Sequence, residues 1–218
     1  PSAAAGPEAA AVAGVGEPLL SLAQAAADSV DGTAGEKAAE LKRRFPCVAD
    51  ASVRRPWGEK RATITLALKS AVAPALRRGR PAGVLGADGS VFSAPEGVYR
   101  LAGPSADVGD ASEDDRRALA REWPALTAEG AMPAPLEEMV WRSPEDGWEA
   151  RLQDGTTVAW GRLDWTKEKL ARLAEALADA RAKAPGAFAA DLRWFEDGKV
   201  LLKPVGLKAV AGVRGGLN

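Results

Sequence analysis

Three carboxylates in the last third of the chain, Asp154, Asp191 and Asp197, are the side chains best suited by type to acid–base chemistry. A carboxylate-dependent hydrolase needs two such groups, one as general acid and one as general base, facing a common bond. Asp154 and Asp197 each precede a glycine, so a turn already explains them, and Asp191 alone makes no pair. The 218 residues include no histidine. That excludes Ser-His and Cys-His nucleophiles, histidine proton shuttles and imidazole-based zinc sites. Cys47 is the single cysteine and cannot form a disulfide within the chain. Its neighbours Phe45, Pro46 and Val48 mark it as a small buried hydrophobe rather than a reactive thiol. No catalytic residue, metal ligand or cofactor motif emerges, and an enzyme is not expected.

The chemistry that the chain does offer is that of a backbone edge. Residues 148–165 read WEARLQDGTTVAWGRLDW, residues 166–181 read TKEKLARLAEALADAR, and residues 189–204 read AADLRWFEDGKVLLKP. Asp-Gly at 146–147, 154–155 and 197–198 stands beside alternating segments, the strongest short-range hairpin signal. Trp148, Ala150 and Leu152 share one strand face. Leu170, Leu173, Ala174 and Leu177 fall at i, i+3, i+4 and i+7 on a helix, which must lie on the sheet. Two strand pairs, each closed by an Asp-Gly turn, therefore bracket an amphipathic helix. A sheet that ends in an open strand presents unpaired N–H and C=O groups and is a docking surface. Lys199 and Lys203 flank residues 200–202 in the way that guards an edge against self-association.

Upstream, helices are predicted over 19–30 and 35–45, stopped by Asp31-Gly32 and Pro46, after a short apolar strand at 11–15. A hairpin follows, with strands at 48–55 and 62–68 around a turn at 56–59. Apolar strands at 73–76 and 83–85 lead through Asp88-Gly89 to Val91 and Phe92. Residues 99–109 have linker composition, and a charged helix over 113–123 is expected to stop at Pro124, before a strand around 139–141. The fold class is α+β. The expected organisation is a linker at 1–10, a strand-helix-helix-strand-strand domain at 11–98, a mixed β domain at 99–205 and a tail at 206–218.

The net charge of −1, with 46% hydrophobic and 27% charged residues, describes a globular chain and argues against a dedicated nucleic-acid binder. The balance is uneven: residues 36–80 hold twelve Lys/Arg against four Asp/Glu, and residues 107–149 hold four against twelve. Such blocks read as solvated faces, or as a basic module facing anionic headgroups or an acidic partner. No apolar run reaches the roughly 18–20 residues that span a bilayer, and the Ala-rich start lacks the basic flank of a signal peptide.

Three passages together resemble the extracytoplasmic region of the FtsQ/DivIB family of bacterial division proteins. LKRRFPCVADASVRRPWGEKRATITLAL resembles that family's POTRA core, with Gly58 where a proline is usual. GVLGADGSVFSAP is similar to the strand that closes the POTRA unit, with Gly86 where an Asp is common. The run from Trp148 to Pro204 resembles the family's β domain. The resemblance implies a non-enzymatic scaffold with a POTRA domain and a β domain, held outside the cytoplasm at the division septum. A single membrane pass would precede Pro1. The implied partners are FtsB- and FtsL-like proteins, recruited by strand addition to the last strand, which couples division to septal peptidoglycan synthesis. No nucleic-acid partner is implied. The implied partner-binding residues are Arg162, Trp194, Gly198, Lys199, Val200, Leu201, Leu202, Lys203 and Pro204. Val53, Arg54 and Arg55 form the implied recruitment strand of the POTRA unit. The alternative is a POTRA-bearing outer-membrane assembly or secretion factor that binds client proteins.

Overall fold

The computed structural model describes residues 17–29, 31–54, 57 and 63–205. The strand expected at 11–15, the linker at 1–10, the tail at 206–218, Arg55 and most of the turn at 56–59 lie outside the described residues. The fold is mixed α+β, as expected, and forms two compact units, Pro1–Trp123 and Pro124–Asn218. The division falls inside a helix, whereas the linker composition of residues 99–109 places it earlier.

In the first unit, α1 (Glu17–Asp28) and α2 (Ala34–Arg44) come first. A capping box starts α2: the Glu36 amide donates to Thr33 Oγ1 at 3.3 Å, and the Thr33 amide donates back to Glu36 Oε2 at 2.6 Å. That returned backbone bond holds the Glu36 carboxyl below its usual range. Lys42, Arg43 and Arg44 occupy the last turn, where cations complement the helix dipole. Strands β1 (Val48–Arg54) and β2 (Thr63–Leu68) pair antiparallel. Their inward residues Val48, Val53, Ile64 and Leu66 join Leu19, Leu41 and Phe92 in one core. Burying Leu41, Ile64 and Leu66 contributes about 1.5–3 kcal/mol each. Cys47 sits in this core, and burial pushes its thiol up, away from reactivity. Tyr99 closes the core, donating its hydroxyl to the Lys69 carbonyl at 2.8 Å with its ring edge on Phe92.

The remaining strands of this unit are β3 (Ala71–Arg77), β4 (Arg80–Gly86), β5 (Val91–Phe92) and β6 (Ser105–Asp107), in the order β6-β3-β4-β5. Strand β6 corrects the linker reading of residues 99–109. It runs parallel to β3, with Ala106 and Asp107 opposite Ala75 and Leu76 and both buried. Asp107 resembles a loop residue because its carboxylate does a loop's work. It accepts the amides of Arg78 at 2.8 Å, Gly79 at 2.6 Å and Gly109 at 3.1 Å.

Helix α3 (Glu113–Thr127) also departs from expectation, because it continues through Pro124. Pro124 leaves one carbonyl a turn back without its intrahelical donor. It stands within a turn of the helix end, and burial of Trp123 and Leu126 on either side of it offsets that loss.

The second unit contains β7 (Leu136–Ser143), β8 (Gly147–Leu152), β9 (Thr157–Gly161), α4 (Thr166–Lys183), β10 (Phe188–Asp191) and β11 (Leu201–Pro204). Its strand order is β11-β10-β9-β8-β7. Among the described strands of this unit only β9 and β10 are parallel, and α4 is the crossover between them. Trp148, Ala150 and Leu152 are buried together, as their alternation predicts, and Trp141 meets Trp148 edge-on at 5.1 Å. Gly147 is required at the β7–β8 turn: it holds φ 66°, and a Cβ there would strike the Gly161 backbone. Helix α4 buries Thr166, Lys169, Leu170, Leu173 and Leu177; Ala174, expected on this face, is exposed. The buried stripe instead turns toward Lys169, whose partners are described below.

Candidate functional site

Among the described residues of this unit strand β11 has one neighbour, β10, and its other side is open. Two hydrogen bonds fix which backbone groups face outward. The Val205 amide donates to the Ala187 carbonyl at 2.9 Å, and the Leu192 amide donates to the Ala159 carbonyl of β9 at 2.8 Å. Backbone groups alternate sides along a strand. Residues 187, 189 and 191 of β10 therefore face β11, and their register partners Val205, Lys203 and Leu201 face back. Leu202 and Pro204 are left with their backbone groups pointing off the sheet. Leu202 offers both a donor and an acceptor. Pro204 offers only its carbonyl, and an edge tolerates proline because its missing N–H faces outward.

The side chains alternate the other way. Leu202 lies opposite the buried Ala190 and is itself half-buried, whereas Leu201 is 55% exposed and Lys203, Pro204 and Val205 are exposed. The connection from β10 to β11 is not the tight Asp-Gly turn that the sequence predicts. Residues Phe195–Asp197 make a 3-10 turn instead, with Trp194 as its N-cap and Gly198, at φ 72°, as its C-cap. The Gly198 amide bonds the Phe195 carbonyl at 2.8 Å and the Lys199 amide bonds the Trp194 carbonyl at 3.2 Å. Asp197-Gly198 thus ends a helical turn, a position that also favours glycine. The structure leaves Trp194 55% exposed, Lys199 exposed and Val200 half-buried.

Because β9 and β10 are parallel, their carboxyl ends emerge together. Gly161 makes this contact close: a Cβ there would sit 3.2 Å from Arg193 Cγ. Arg162 and Trp194, each one residue further on, belong to the same end of the sheet. The Arg162 side chain is 87% exposed and meets Asp164 at 3.1 Å. Arg193 is fixed, pairing with Asp191 at 2.7 Å and also with Asp146 of the β7–β8 turn. The Arg193 hydrogen bond holds the Asp191 carboxyl below its ordinary range. Asp154 in turn binds Arg181, so two of the carboxylates considered for chemistry are structural ion-pair partners.

Sequence reasoning missed two residues of this corner. Lys169, 4% exposed, donates its Nζ to the carbonyls of Trp160 at 3.0 Å and Arg162 at 2.7 Å. It ties the end of β9 to α4, and burial pulls its pKa down against the opposing attraction of the Asp164 and Glu196 carboxylates. Its place one residue before Leu170 on the helix period was the available signal. The second is Trp165, the N-cap of α4, which holds φ 61° and ψ 33° and is 56% exposed. A bulky residue in the left-handed region is strained, and nothing in its residue type announces that conformation.

The implied recruitment strand is divided by its own alternation. Val53 is 9% exposed and points into the core, whereas Arg54 is exposed. Among the described residues no group of three or more His, Cys, Asp or Glu could hold a metal ion. No described helix is long and apolar enough to cross a membrane.

The fold is of the α+β class, with an open edge at β11 among the described residues and an exposed tryptophan at its approach. A family model for the cell division protein FtsQ/DivIB, C-terminal, matches residues 76–193, more than half of the chain. The chain belongs to the FtsQ/DivIB family, a family of non-enzymatic, membrane-associated scaffolds that interact with other proteins at the division site. No curated protein matches it.

Proposed function

We propose that this chain is a divisome scaffold that recruits FtsB- and FtsL-like partners by adding a partner strand to β11. It thereby couples division to septal peptidoglycan synthesis. The observation that carries the reading is the open edge of β11, where Leu202 turns both backbone groups outward beside the exposed Leu201. An incoming strand gains a ladder that starts at Leu202 and extends toward Val200, because Pro204 supplies no donor beyond it. Trp194 offers a large apolar anchor at the head of that ladder, and Gly198 shapes the turn leading into Lys199. Arg162 presents a guanidinium fork to an acidic partner residue. Lys199 and Lys203 discourage a second copy of the same edge from pairing.

In this reading residues 11–98 are a POTRA domain and residues 99–205 the β domain. Val53, Arg54 and Arg55 belong to a second recruitment strand, and a single membrane pass ahead of Pro1 holds both domains on the extracytoplasmic side of the inner membrane at the septum. The core that joins Leu19, Leu41, Ile64, Phe92 and Val98, closed by Tyr99, supports the first of these boundaries. Isothermal titration against the periplasmic segments of the same organism's FtsB-like and FtsL-like proteins tests the proposal. Saturable binding that weakens in Leu202→Pro supports it. Absence of binding with all components folded refutes it.

A further inference from the structure

The tip of the β3–β4 hairpin places like charges against each other. Arg77 of β3 is the direct register partner of Arg80 of β4, an arrangement that destabilises a strand pair. Arg78, at the turn between them, holds φ 54°, a left-handed conformation unfavourable for a side chain of this size. Among the described residues no ion pair engages Arg77, Arg78 or Arg80. The nearby carboxylate of Asp107 is already taken up by the amides of Arg78, Gly79 and Gly109. It locks the tip's backbone rather than forming an ion pair with its guanidinium groups.

These arginines line a groove of about 990 Å³ together with Arg116, Pro81 and Ala111. Arg116 is held in place, donating to the Gly89 carbonyl at 2.7 Å and to the Ala111 carbonyl. Among the described residues four arginines face one lining carboxylate, Asp110, and the adjacent Asp107, so the groove carries an excess of two positive charges. Strain and like-charge opposition concentrated in one hairpin mark a surface whose missing partner is an anion.

We propose that this groove binds an acidic peptide segment of a partner protein, with carboxylates bridging Arg77 and Arg80 and a backbone lying over Pro81 and Ala111. Pro81, Ala82 and Ala111 lie among the arginines, so the lining offers a peptide backbone apolar contact beside its charges. Guanidinium forks match carboxylates in bidentate pairs. The inference concerns the first unit alone and stands whether or not β11 accepts a strand.

The test uses the full chain and a fluorescein-labelled peptide alternating glutamate and serine, read by anisotropy at low ionic strength. The double variant Arg77→Gln/Arg80→Gln is compared with Arg43→Gln/Arg117→Gln, which removes equal charge from residues already paired with Glu40, Glu113 and Asp114. The expected result is saturable, salt-sensitive binding, weakened at least about tenfold in the hairpin variant and little changed in the control. The hairpin variant should also melt about 1–3 °C higher, because the opposed charges are gone. A merely structural role for these arginines would lower Tm instead. Failure of the peptide to bind, or equal weakening in both variants, overturns the proposal. So does binding of phosphatidylglycerol vesicles, but not the peptide, through Arg77 and Arg80, which would assign the site to a lipid surface.

Discussion

Proline placed at two adjacent positions of β11 should have opposite consequences, because their N–H groups point to opposite sides. The Leu202 amide faces off the sheet and the Leu201 amide faces Asp191 of β10. Leu202→Pro therefore removes no hydrogen bond from the free protein, and its Tm should stay within a few degrees of wild type. In a strand-added complex it leaves a partner carbonyl without its donor in a dry interface. That costs about 1–3 kcal/mol, roughly 5- to 150-fold in Kd. Leu201→Pro breaks the β10–β11 ladder instead. A similar loss then falls on folding, about 2–4 °C of Tm for each kcal/mol in a chain of this size. A Leu202→Ala control separates the half-buried side chain from the backbone effect. Calorimetric titration and thermal melting are run on all three variants. The edge assignment fails if folded Leu202→Pro binds like wild type, or if Leu201→Pro weakens binding while leaving Tm unchanged.

Three further outcomes follow from the same corner of the sheet. Lys169 has a folded pKa below its unfolded value of 10.5, so the unfolded chain holds more protons between the two values and stability rises with pH across that window. Urea titrations of Lys169→Met should lack this alkaline rise, and the loss of two carbonyl bonds should make the variant less stable at neutral pH. Asp191 has the opposite shift: its folded pKa is depressed, chiefly by the Arg193 hydrogen bond. Its contribution is present above the ordinary Asp range and is lost as pH falls through the folded pKa. Arg193→Gln should therefore flatten the acid limb of a stability-versus-pH curve, and an unchanged limb would refute the assignment. Trp165→Asn should raise stability by about 1 kcal/mol, since asparagine tolerates the left-handed conformation, and a fall in Tm would show that the indole has a packing role instead.

The elements that the sequence announces are those whose burial follows one period. Trp148, Ala150 and Leu152 alternate, and Leu170, Leu173 and Leu177 follow a helical stripe, so both could be read without coordinates. What escaped is what depends on partners distant in the chain. Residues 105–107 are too short and too polar to register as a strand, and only pairing with β3 makes them one. Asp107 and the Asp197-Gly198 pair carry turn chemistry, but the turns they serve are not those adjacent in sequence or simplest in type. Helix α3 overrides Pro124 because Trp123 and Leu126 are buried on either side of it. At the docking edge the composition of residues 199–204 points to an open strand. Which of its amides face outward required the register with β10. The opposition of Arg77 and Arg80 was likewise hidden until β3 and β4 were paired residue by residue.

Amide hydrogen exchange of β11, with and without the FtsB-like segment, tests the central claim most directly. In the free protein Lys203 should be protected by its bond to β10, whereas Leu202 should exchange freely. On binding, strand addition predicts that Leu202 gains protection while Lys203 changes little. Saturated binding that leaves the Leu202 amide exchanging at its free rate would contradict the account.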